Sequence, residues 1–157
     1  MTVVSIEGAR RRKTFENVGT PSTRLITDAS VPWFQTTTVA LGELLKLEPG
    51  WDGYQARPVR FATAVFALEI LKAACQSDTP RPDIMPGSGG DLLIEWERAQ
   101  KLLQAHVRAP NDFTVFRRDD ESGLEDEKPL RNDVSLLASW LDWLGDDGGN
   151  VAAAAMG

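Results

Sequence analysis

The chain has 157 residues, 42% hydrophobic and 25% charged, with a formal net charge of -6; that is the length of one ordinary domain, able to bury a core without disulfides or a metal. One cysteine, Cys75, excludes an internal disulfide, and one histidine beside it leaves no dense set of metal ligands. No apolar run approaches the ~20 residues of a membrane span, and the N-terminus lacks the long apolar stretch of a secretion signal, so a cytoplasmic protein with no membrane contact and no cofactor is expected.

Residues 1–30 hold five bases and three acids, without sustained periodicity beyond a Val3, Val4, Ile6 patch. They read as a flexible basic arm. Nucleic acid is an expected partner only through its run of Arg10, Arg11, Arg12 and Lys13, because each neutralised phosphate releases counterions. From Val31 to Leu47, Phe34, Leu41, Leu44 and Leu45 fit a helix begun near Ser30 and Pro32 and stopped by Glu48-Pro49-Gly50. Trp51-Asp52-Gly53-Tyr54 reads as a tight loop, since glycine supplies positive φ and aspartate bonds nearby amides. Between Pro58 and Gln76, one stripe holds Phe61, Val65, Leu68, Leu71 and Cys75, with Ala62, Phe66, Ile70 and Ala73 beside it. This arc is wider than one face needs, which predicts a central helix covered on more than one side, its polar strip being Arg60, Thr63 and Lys72.

Beyond Asp78 the period changes to two. Pro82–Pro86 is a short extended segment, and Gly87-Ser88-Gly89-Gly90 is a hairpin turn, not a phosphate loop, because it leads into a strand. Leu92, Ile94 and Trp96 alternate with Leu93, Glu95 and Glu97; Leu103, Ala105 and Val107 alternate with Leu102, Gln104, His106 and Arg108. Asn111-Asp112 then turns the chain into 113–118, completing an antiparallel meander with one apolar and one wet face. Residues 119–157 hold ten acids against Lys128 and Arg131. Within them 119–129 reads as a solvated acidic linker, with Asp119, Asp120 and Glu121 as a candidate docking surface for a basic partner in the alternative reading. Residues 130–145 read as an amphipathic helix capped by Asn132 or Asp133. Leu137, Trp140, Trp143 and Leu144 lie on or near its apolar stripe as candidate partner-binding anchors, and 146–157 read as a disordered tail.

The expected architecture is therefore α+β: two helices packed on a three- to four-stranded antiparallel meander over residues 31–118, plus a C-terminal helix. Reactive chemistry is sparse. Cys75 lies on a predicted buried stripe and reads as an inert core thiol. Asp52, Glu95 and Glu97 sit beside aromatic residues, where desolvation raises a carboxyl pKa, and His106 is the one histidine available as a base. A turn and a wet sheet face explain these residues more simply.

The Trp51-Asp52-Gly53 loop, the Pro58-Val59 helix start, the Pro82–Pro86 strand, Gly89-Gly90 and the Glu95-Trp96 strand end occur in one order. That order resembles a group of short, mostly uncharacterised bacterial proteins. The resemblance covers roughly residues 41–118 and implies an α+β fold and a bacterial or phage origin, with no catalytic residue carried over. Trp51, Asp52, Gly53 and Trp96 are then structural, the two indoles being expected to pack near one another. The function expected from the whole chain is non-enzymatic: a module that binds a protein partner, antitoxin- or immunity-like or an adaptor, by occlusion or scaffolding. A structural subunit of a larger assembly and a small carboxylate-dependent enzyme are the alternatives.

Overall fold

Residues 31–146 are described by the computed structural model, and the expected basic arm and the tail from residue 147 onward lie outside them. Helix α1, Pro32–Leu44, begins where the extended backbone of Val31 meets a proline, whose missing amide is harmless in a first helical turn. It buries Trp33, Thr37 and Leu41, four residues apart and so on one face. The Trp33 indole donates to the Gln76 carbonyl at 2.9 Å, pinning the start of α1 to the end of α2, Phe61–Ala74.

Five strands follow: β1 Asp83–Pro86, β2 Leu92–Arg98, β3 Lys101–Ala109, β4 Asp112–Asp119 and β5 Leu124–Leu130. They form one open antiparallel sheet in the order β1-β2-β3-β4-β5, so each pairs with its neighbour in sequence. The alternation works as read. Leu92, Ile94, Trp96, Leu103, Ala105, Val107, Phe113 and Val115 are all 2% exposed or less and face the helices. Helix α3, Ser135–Gly145, closes the molecule, with α2 lying between α1 and α3 above β2 and β3. Asp133 accepts the Ser135 amide at 2.9 Å just ahead of α3.

Four expectations need correcting. The segment taken for an acidic linker is a hairpin turn followed by β5, which pairs with β4 from Phe113↔Leu130 to Asp119↔Leu124 and raises the strand count to five. Its composition, Leu-Glu-Asp-Glu-Lys-Pro-Leu, is poor for a strand. Pairing with β4 overrides that propensity: Leu130 packs at the edge of the core, and Asp126 accepts Nε and Nη2 of Arg117 at 3.0 and 2.8 Å. Leu102, read on the wet face of β3, is 8% exposed, and the C-terminal helix packs on the same core, its Leu137, Trp140 and Leu144 being 0%, 5% and 1% exposed. Thr63, read as part of a polar strip, is fully buried on α2. Phe61 and Val65, placed on its buried stripe, are 70% and 39% exposed.

Glycines allow one close approach. The turn after β1 folds back so that Asp91 accepts the Gly89 amide at 3.0 Å, and a Cβ at Gly87 would collide with the Asp91 carboxylate. Arg60, ahead of α2, donates to the carbonyls of Gly89 at 2.9 Å and Arg108 at 2.6 Å, fastening that turn and β3 to the helix start.

Candidate functional site

Of the anchors read from the sequence, the structure gathers some and disperses others. Trp143, Leu144, Asp119 and Glu121 line one depression of about 500 Å3 between the β2–β3 turn, the β4–β5 turn and the end of α3. Lys101 enters it, donating to the carbonyls of Trp143 at 2.7 Å and Asp146 at 2.8 Å, with Nζ 4.9 Å from the Trp143 ring centroid. A cation on the last carbonyls of a helix satisfies acceptors the helix cannot and complements its dipole. Asp119 accepts the Glu121 amide at 2.9 Å, and this bond holds its carboxyl below the usual range; Asp120 pairs instead with Arg118 at 2.8 Å. Leu137 and Trp140 are elsewhere, in the core. The Arg117 guanidinium lies 4.6 Å from the Trp140 ring centroid and 5.1 Å from that of Trp143, so the chain's own cations already occupy both indoles.

The residues of the carboxylate reading each have a local partner. Asp52 accepts the amides of Tyr54 and Ala56 at 2.9 and 3.2 Å, which makes it the turn former expected between Trp51 and Gly53, and Gly53 has φ +86°. Glu95 accepts Gln104 Nε2 across the β2–β3 pair at 2.5 Å. His106 Nε2 meets Asp91 Oδ2 at 2.5 Å. Burial raises the Asp91 carboxyl, but hydrogen bonds from His106 and from backbone amides outweigh it and hold the group below the usual range. His106 lines a shallow hollow of about 260 Å3 on the outer sheet face, and neither Glu95 nor Asp52 lines it. The two indoles anchor separate segments: Trp51 donates to the Arg57 carbonyl at 2.9 Å within its own loop, and buried Trp96 donates to Pro80 at 3.0 Å. Burial pushes the Cys75 thiol up to about 12, leaving almost no thiolate at neutral pH. Among the described residues no group of three metal-ligating side chains occurs.

The feature that sequence reasoning misplaced is the outward face of α2. Phe61 and Val65 stand one turn apart, with Ala62 and Ala73 on the same side, above a groove of about 550 Å3. Buried Phe66 and Ile70 also line it, and Pro110-Asn111 of the β3–β4 turn and Asn132 and Val134 ahead of α3 complete its lining. Its one charged lining side chain is Glu69. The excess width of the apolar arc was the available signal. The stripe that meets the sheet runs through Thr63, Phe66, Ala67, Ile70, Leu71 and Ala74, and the surplus faces outward.

No helix among the described residues is long and apolar enough to cross a membrane. Comparison with protein-family models, with curated proteins and with solved structures gives no match.

Proposed function

We propose that the chain is a non-enzymatic protein-binding module, acting on its partner by occlusion or scaffolding as antitoxin-like, immunity-like and adaptor proteins do. The observation that carries this reading is the apolar groove on α2. A phenylalanine 70% exposed beside a valine 39% exposed, over a groove floored by core residues, is a contiguous apolar surface that costs free energy in water until something covers it. Apolar centres of this kind carry most of the energy of protein interfaces. The acidic hairpin of β4 and β5, with Asp119, Asp120 and Glu121 at its turn, supplies long-range steering toward a basic partner.

Phe61→Glu tests the reading, since Phe61 is exposed and its loss leaves the core intact. Tagged wild-type protein and the variant are used to capture partners from a bacterial host at low salt and at ~0.5 M salt, where screening removes steering and spares apolar contact. The expected result is one stoichiometric protein on the wild type at both salts, absent from the variant, whose circular dichroism is unchanged. The same protein on both would remove α2 as the binding surface.

A further inference from the structure

The groove on α2 also indicates what it binds. We infer that it receives an amphipathic α-helix of the protein partner, with a lysine or arginine of that helix set against Glu69; this rests on the protein-binding reading above.

Three observations carry it. The apolar strip from Phe61 to Ala73 covers thirteen residues of α2, a rise of roughly 18 Å, which is about three turns of a docked helix. Knobs at Phe61 and Val65 with small Ala62 and Ala73 between and beyond them form the ridge-and-gap surface into which a second helix packs. Among the described residues none that lines the groove lies in a strand, so an extended segment would find no ladder there for its backbone groups, whereas a helix satisfies its own.

Charge selects the occupant. Glu69 stands midway along the strip, exposed, and no described residue gives it a hydrogen bond or ion pair. Lys72, one turn further on, has turned toward α1, where Nζ lies 5.8 Å from the Phe34 ring centroid. A second copy of this chain docked about a two-fold axis at the middle of the strip would bring Glu69 against its own counterpart in a drying interface, a like-charge arrangement that opposes association. A partner helix with a basic residue there instead converts the lone carboxylate into a charge-assisted contact.

The test uses two displayed peptide libraries against the full chain. One holds amphipathic helices of about 18 residues with leucine at every third or fourth position; the other holds extended segments of equal apolar content, and polar positions are randomised in both. The inference expects helices to be selected, enriched in lysine or arginine at one polar position, with at least about tenfold weaker binding to Phe61→Glu. Glu69→Lys should invert the selected charge to aspartate or glutamate. Selection of extended segments, equal binding to Phe61→Glu, or an unchanged charge preference on Glu69→Lys would overturn it. So would a Phe61-dependent dimer in light scattering, or tighter peptide binding once Arg10, Arg11, Arg12 and Lys13 are neutralised, because these assign the groove to a second copy or to the chain's own N-terminal segment. If no helix is selected while Phe61→Glu still releases the native partner, the helix is wrong and the binding surface stands; if Phe61→Glu leaves native capture intact, the surface itself is wrong.

Discussion

Thr37 and Thr63 bury hydroxyls that have no hydrogen-bond partner among the described residues, one on α1 and one on α2. An unpaired buried hydroxyl carries its full desolvation cost. Replacing either by valine removes that cost at nearly constant shape, so Thr37→Val and Thr63→Val should each raise unfolding free energy by about 1 kcal/mol in urea titrations. Asp91 acts in the opposite direction. Its folded carboxyl titrates below its unfolded value, so the stability it contributes is complete above the unfolded pKa of about 3.9 and is lost as pH falls through the lower folded value. The wild-type urea midpoint should therefore drop as pH is lowered below about 4, and Asp91→Asn should flatten that part of the profile. Trp140 is a core residue, whatever its position on an amphipathic stripe suggested. Trp140→Ala should cost about 3–5 kcal/mol of stability, with a smaller loss for half-buried Trp143→Ala, both read by chemical denaturation.

At the scale of elements, periodicity was legible wherever one face of an element alone met the core. The alternation of β2 and β3 named the buried residues of both strands except Leu102, which was read on the wet face, and the turn at Asn111, which adopts φ +62°, fell where the asparagine placed it. The β5 strand was illegible because its stability resides in β4. Charged residues and a proline deny it local propensity, and the Arg117–Asp126 pair that holds it joins positions nine apart in the sequence. Asp126→Ala should therefore speed hydrogen exchange of the β5 amides several-fold while leaving those of β2 and β3 unchanged. The α2 helix shows the converse limit. Its composition revealed an apolar surplus but not which side of the helix the sheet would occupy, so Phe61 and Val65 were counted as core. The turn-end depression was half legible, since Trp143 and Asp119 were both singled out, yet only the fold shows that they share it with Lys101.

The molecule as a whole is one-sided. Helices α1, α2 and α3 cover one face of the meander, the opposite face carries pairs such as Glu95–Gln104 and Asp91–His106, and acidic residues gather at the β4–β5 turn. The Glu95–Gln104 and Asp91–His106 pairs are satisfied within the chain, whereas the apolar groove on α2 is not covered by any described residue. In the proposed function the acidic hairpin steers and the groove adheres. The most direct measurement places a photo-reactive phenylalanine analogue at Val65 in one protein and at Phe116, on the outer sheet face, in another, and irradiates each in the presence of host proteins. One dominant adduct is expected from position 65, with the attachment point mapping to a single helix of the captured protein, and none from position 116. An adduct from position 116 with position 65 silent would contradict it, and would move the binding surface to the open face of the sheet.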